Sequence, residues 1–258
     1  VAPGGVFWYN SRSAAVMPFA NALFPALYGA AGKEGRPCPF TADLWYNSVA
    51  GSPRPQSNEE RRRAMKATVV IPNLNGAGWL RDSIESVWAQ TEQDFELIVV
   101  DNASTDESLA IARSYVGRPN YTLIENDRNT GFSHAVNQGI RIAKGEFVAL
   151  FNNDAFAEPE WLENLLAAAQ TDQRIFAVSS LMIRHFERDL ADDAGDYVTL
   201  LGFACKRGDG MKVGRYQKPG RVFSACGGAA LYRKRILDEI GLFDEHFFAY
   251  FEDVDISW

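Results

Sequence analysis

The chain is poor in the residues that build covalent or metal-held frameworks. Its three cysteines, Cys38, Cys205 and Cys226, are odd in number and far apart, and it has only three histidines, His134, His185 and His246. Such spacing suggests neither a disulfide framework nor a zinc site, and therefore a reducing compartment. Basic charge is also short. Lys and Arg total 26 against 33 Asp and Glu, giving a net charge of −7 and a pI near 5.1. A general nucleic-acid binder is usually basic, so no nucleic-acid partner is expected. No secretory signal is visible, and a cytoplasmic setting is the expectation. What is present is ordinary globular composition over 258 residues, 47% hydrophobic and 23% charged. That suffices for one large domain, or one domain plus an appendage. Val1 is not a natural start, so the chain is expected to begin inside a longer one.

Residues 1–66 form the expected appendage and linker. "SAAVMPFANALFPALYGAA" (13–31) carries no charge and just reaches bilayer-spanning length, but it holds Pro18, Pro25 and Asn21. A membrane span, an interfacial helix and a segment packed on protein all remain open, so peripheral membrane association at the inner face is one expectation. "GSPRPQSNEERRR" (51–63) reads as a polar linker, and the organised domain is placed at 67–258.

From Ala67 short apolar runs alternate with helical patterns. "TVVI" (68–71), "LIVV" (97–100), "YTLI" (121–124) and "FVALF" (147–151) are continuous hydrophobic runs, as strands buried on both faces require. Leu80, Ile84, Val87 and Trp88 lie on one helical face. Ser104 and Glu107 fit a capping box for a second helix that runs through Leu109, Ala112 and Val116. Phe132, Ala135, Val136, Gly139, Ile140 and Ala143 mark a third, with Gly145 as its stop. This alternation predicts an α/β fold with a mainly parallel sheet covered on both sides. Ligands of such sheets bind beyond the carboxyl ends of the strands. Here those ends are all polar: "PNLN" (72–75), "DNASTD" (101–106), "ENDRNTG" (125–131) and "NNDA" (152–155). One such cluster is ordinarily a turn. Four on one sheet edge point to a site.

Two ligands compete for that edge. A dinucleotide would use Gly76 and Gly78 of the first turn, with Asp101 on the ribose, but Arg81 stands where close helix packing needs a small residue. A nucleotide-sugar with a divalent metal fits better. An acidic protein needs a cation to hold a diphosphate, and Mg²⁺ or Mn²⁺ does so with one or two carboxylates and phosphate oxygens. Asp154 would supply the carboxylate and Asn153 a hydrogen bond to ribose or phosphate. Arg128 would add charge-assisted contacts, and Asp101 would accept the imide N–H of uracil or thymine. Downstream, a strand from Phe223 to Leu231 is interrupted by Gly227 and Gly228, as at a bulge or close ligand approach. The acidic cluster Glu252, Asp253 and Asp255 follows among Phe247, Phe248, Tyr250, Phe251 and Trp258. A carboxylate in that setting could deprotonate an acceptor hydroxyl, or could simply cap a helix.

"TVVIPNLNGAGWLRDSIESVWAQTEQDFELIVVDNASTDES", "NTGFSHAVNQGI", "LFNNDA" and "FDEHFFAYFEDVDISW", in this order over 67–258, resemble family 2 glycosyltransferases of the GT-A fold. The likeness extends to the bacterial rhamnosyltransferase-like branch that builds cell-surface polysaccharides. The resemblance implies inverting transfer of a sugar from a UDP- or dTDP-sugar to a hydroxyl of a glycan or lipid-linked glycan, usually with Mg²⁺ or Mn²⁺. It implies nucleotide contacts at Pro72, Asn75, Asp101 and Arg128, and a metal motif at Asn152-Asn153-Asp154 with Asp154 as ligand. Asp253 of the Glu252–Asp253 pair would be the base, with Gly227 and Gly228 near the sugar and acceptor. The family continues past the base motif, often with a metal-holding histidine, so the chain is expected to be incomplete after Trp258. "FWYNSRS" (7–13) resembles the aromatic–arginine segment that follows such domains and implies a parent with tandem transferase domains. A non-catalytic module that binds nucleotide-sugar or a partner enzyme is the alternative.

Overall fold

The computed structural model describes residues 6–9, 65–216 and 218–258; the segment 13–31 and the linker 51–63 lie outside these. The central sheet follows from the four apolar runs. Val69 and Ile71 point to one face and Val70 to the other, and all three are fully buried, so a continuous run is what this strand needs. The strands are β2 (Ala67–Asn73), β3 (Phe95–Asp101), β4 (Tyr121–Glu125) and β5 (Phe147–Phe151). They are parallel neighbours in the order β4-β3-β2-β5. Beyond β5 come β12 (Ala229–Arg233) and then β7 (Ala177–Ser179), with β12 antiparallel to both neighbours. The sheet is thus mixed and mostly parallel, as expected.

Helices cover both faces. α1 (Leu80–Trp88), α2 (Ser108–Arg113) and α4 (Trp161–Gln170) pack on one side through Leu80, Ile84, Ala112, Trp161 and Leu165. α3 (Phe132–Ile142) and α5 (Lys234–Ile240) pack on the other through Ala135, Val136, Ile140 and Leu237. Gly139 faces Val70 so closely that a Cβ would lie 2.5 Å from a valine methyl, which lets α3 lie flat on the sheet. A short α6 (Glu252–Ser257) carries the acidic cluster.

Beside the main sheet stand two small ones. Val6–Tyr9 (β1) is inserted between β6 (Ala155–Ala157), antiparallel to it, and β8 (Leu181–Arg184), parallel to it, and β9 (Ala191–Asp193) follows β8. β10 (Asp196–Val198) and β11 (Ala204–Lys206) form a separate hairpin.

Three local expectations change. Ser104 caps no helix: α2 begins at Ser108 without a side-chain cap, because the Ser104 hydroxyl is bonded to Asp101 instead. Val116 lies beyond that helix and is exposed. Only Ala229–Arg233 of the expected strand 223–231 pairs in the main sheet, because the glycine pair breaks the ladder just before it.

Candidate functional site

The polar ends of β2 and β3 are tied together by Asn73, a residue the sequence reading passed over. It is 1% exposed; its side-chain amide N–H donates to Asp101 Oδ1 (2.7 Å) and lies 2.9 Å from the Ser108 hydroxyl, and its oxygen accepts from Asn153 Nδ2 (2.8 Å). Asp101, also buried, accepts from the Ser104 hydroxyl at Oδ1 (2.7 Å) and from the Ser104 N–H at Oδ2 (3.0 Å). Asn75 is exposed and left-handed at φ 52, and its oxygen accepts the Thr105 N–H (2.8 Å). Pro72 is the penultimate residue of β2. Asn75, Asp101 and Asn153 are therefore held in one hydrogen-bond network at one sheet edge, and Pro72 precedes Asn73 on β2. An asparagine at the end of an apolar run was the available signal for Asn73: buried there, it must find partners for both ends of its amide.

Arg128 stands apart on the β4–α3 loop. It is exposed and lines a cavity of about 710 Å³ together with Asn126, Asn129, Gln138, Glu245 and Phe248. Asn102 latches this loop to β3: its oxygen accepts from the Thr130 N–H (3.0 Å) and hydroxyl (2.9 Å), and its N–H donates to Asn129 Oδ1 (2.9 Å). The loop also touches the segment before the acidic cluster. The Phe132 N–H donates to the Phe248 carbonyl (2.6 Å). A Cβ at Gly131, φ +86, would lie 2.5 Å from that same oxygen, so only glycine fits.

Asn152, Asn153 and Asp154 form the turn from β5 to β6, and Asn153 ties that turn to Asn73 at the same sheet edge. The Ala155 N–H closes the turn on the Asn152 carbonyl (3.2 Å). The Asn152 N–H donates to the Gly228 carbonyl (2.9 Å), while the neighbouring Gly227 N–H donates to Asp253 Oδ2 (2.9 Å). One dipeptide thus joins the Asp154 turn to the Asp253 helix. A Cβ on Gly228 would come 3.2 Å from the Asn152 side chain.

The electrostatics of the acidic cluster follow from burial. Glu252 is 5% exposed with Oε2 lacking a hydrogen-bond partner; desolvation first, and the Asp253 charge second, push its carboxyl up to about 7. Burial also raises Asp253, against the two backbone N–H groups of Gly227 and Val254 that favour its charged form. Just before them Tyr250 (φ 73) and Phe251 (φ 70) are both left-handed, a strained pair at the entry to α6.

Asp154 is 6% exposed, and among the described residues no group of three His, Cys, Asp or Glu could enclose a metal. One carboxylate amid neutral amides does not make a protein cage. It fits a hard cation that keeps waters and takes its other ligands from a diphosphate.

A protein-family model described as glycosyl transferase family 2 matches residues 68–241. The chain belongs to that family. It is 28% identical over 121 residues to the glucosyl-dolichyl phosphate glucuronosyltransferase of Haloferax volcanii, covering 46% of this chain and 39% of that protein. The chain spans about a third of the length of the curated relatives it matches. Its fold is GT-A, shared with S. aureus TarS 1–349 in complex with UDP (TM-score 0.54, 23% identity, 75% of this chain and 54% of that one). It is shared too with GalNAc-T7 bound to UDP, GalNAc and Mn²⁺ (TM-score 0.60, 18% identity, 76% and 40%).

Proposed function

We propose that this chain carries the donor-binding and base-bearing parts of an inverting hexosyltransferase. It would move a sugar, rhamnose if the resemblance to the rhamnosyltransferase-like branch carries over, from a UDP- or dTDP-sugar to a hydroxyl of a cell-surface glycan or lipid-linked glycan. The observation that carries this reading is the Gly227–Gly228 dipeptide, which bonds the Asp154 turn on one side and Asp253 on the other. A diphosphate-binding edge and a buried carboxylate become two walls of one site.

In this reading the Asp101 network receives the base, Asn153 the ribose or phosphate, and Arg128 the diphosphate charge. Asp154 would hold Mg²⁺ or Mn²⁺, which when bound offsets the charge that builds on the leaving diphosphate. Asp253 takes the proton from the acceptor hydroxyl as its oxygen attacks the anomeric carbon from the face opposite the leaving group. One C–O bond forms, the bond to the diphosphate breaks with its electron pair, and the configuration inverts. Glu252, whose carboxyl burial lifts to about 7, is only partly ionised at neutral pH, which lessens the second negative charge beside Asp253.

Calorimetry of UDP and dTDP with and without Mn²⁺ tests the reading. The wild-type chain binds with metal dependence, and Asp154→Ala lowers metal affinity by more than about tenfold, since even partners one shell out cost that much. Equal metal dependence in the variant removes Asp154 from its role. Metal-dependent donor hydrolysis separates an enzyme from a binding module, which shows none.

A further inference from the structure

The β10–β11 hairpin carries an apolar tip that the fold leaves outside every core. Its turn, residues 199–203, reads Thr-Leu-Leu-Gly-Phe; Leu200 is 102% exposed, Leu201 83% and Phe203 60%. The turn is well formed. The Thr199 N–H donates to the Phe203 carbonyl (2.9 Å), the Gly202 N–H to the Thr199 carbonyl (2.8 Å), and the Phe203 N–H to the Thr199 hydroxyl (3.1 Å). The two leucines are therefore held outward by backbone geometry. At the hairpin base the Phe223 N–H donates to the Asp196 carbonyl (2.9 Å), and the Phe223 ring lies 5.7 Å from Trp258, which is 81% exposed. Single exposed leucines are ordinary, but a contiguous apolar tip marks a contact surface.

Charge identifies the occupant. Between Phe203 and Phe223 the sequence places Lys206, Arg207, Lys212, Arg215, Lys218 and Arg221 against a single acid, Asp209, in a chain of net charge −7. Asp209 is already bonded to Arg184 (2.9 Å) and Lys206 to Asp192 (3.1 Å), while Lys212, Arg215, Lys218 and Arg221 are exposed. The segment leaves the hairpin at Lys206 and returns to its base at Phe223, which brings Arg221 alongside. An exposed apolar tip, followed by a cation-rich segment that returns to the hairpin base at Arg221, is complementary to an anionic bilayer, whose phosphates meet the cations while the tip enters the headgroup–acyl boundary.

We propose that the β10–β11 hairpin docks this domain on an anionic lipid surface through Leu200, Leu201 and Phe203, with Arg215, Lys218 and Arg221 on the lipid phosphates. The consequence for catalysis rests on the transferase reading above. Asp196 at the hairpin base accepts from the Ser224 hydroxyl (2.9 Å), three residues before the Gly227 that holds Asp253. An acceptor carried on a lipid would then be presented beside the base.

The test is co-sedimentation of the whole chain with vesicles of phosphatidylcholine, with and without phosphatidylglycerol. Binding to the phosphatidylglycerol vesicles is expected, weakening with salt. The pair Leu200→Asp and Leu201→Asp, and separately Arg215→Glu with Arg221→Glu, should each lower the partition coefficient by about tenfold or more. All these side chains are exposed, so melting temperature and UDP affinity should stay unchanged. Residues 13–31 are present in every variant; binding through them alone would leave the tip variant equal to wild type and would overturn the proposal. So would absence of wild-type binding, equal binding to neutral vesicles, or a tip-dependent dimer in sedimentation velocity without lipid dependence. UDP affinity is read separately, so loss of the transferase reading leaves the vesicle result standing.

Discussion

The two walls of the proposed site, the donor wall and the base wall, are built on opposite principles. On the donor wall every buried polar group named is satisfied: Asn73, Asp101 and Ser104 answer one another within 3.1 Å. On the base wall Glu252 keeps an unpartnered oxygen, both carboxyls are raised by burial, and two left-handed residues lead into the helix. A binding surface gains from being rigid before its ligand arrives. A base gains from a proton affinity lifted toward neutral pH, and burial lifts it at a cost in stability. The difference teaches where this fold stores order and where it stores strain.

The sharpest way to break the comparison is at Asp253. Asp253→Asn should lower turnover by at least about 10²-fold in a protein assayed with donor and acceptor, the lower end for a general base, while UDP affinity stays within about twofold. Normal turnover would pass the role to Glu252 or Asp255. On the donor wall Asp101→Ala should cost about 1–3 kcal/mol in nucleotide affinity, the worth of a hydrogen bond to a charged group. It should also lower the melting temperature, because Asn73 and Ser104 lose their acceptor. Weakened binding with unchanged stability would show that the network is less rigid than its geometry.

The smallest effect is in stability. Glu252 binds its proton more tightly folded, near 7, than at its ordinary 4.5. Its burial therefore costs nothing below about pH 4.5, a rising amount up to about 7, and the full amount above. Glu252→Gln should raise the melting temperature at pH 8 by on the order of 5 °C, and by little at pH 4. An equal gain at both pH values would point to packing rather than charge.

The donor wall was the more legible from sequence. Its strands are mostly apolar runs, and each ends in or is followed by asparagine, aspartate or glutamate, so pattern alone located the edge. The capping box failed because Ser104 had a stronger bond available to Asp101, a residue it meets only through the loop's fold. The base wall was legible in composition but not in connection. Nothing in "ACGGAA" says that Gly228 bonds Asn152 while Gly227 bonds Asp253, since both partners are brought in by tertiary pairing. The hairpin tip escaped because three apolar residues in five look like a fragment of core until the sheet is closed without them.

The Asn152–Gly228 bond also sets an order of assembly. It extends the β5–β12 ladder by one rung past Phe151 and Ala229, and it joins residues 76 apart, a separation close to that of the donor-edge bond between Asn73 and Asn153, 80 apart. Loop length therefore does not order the two, but the Gly228 bond waits for an antiparallel strand to dock on a finished parallel sheet. During refolding the donor edge should gain protection first and the Gly227 amide last, which pulsed hydrogen exchange can follow. A chain emerging from the ribosome would hold a nucleotide-ready edge well before it holds a base. Its chemistry would be switched on by the arrival of a single strand.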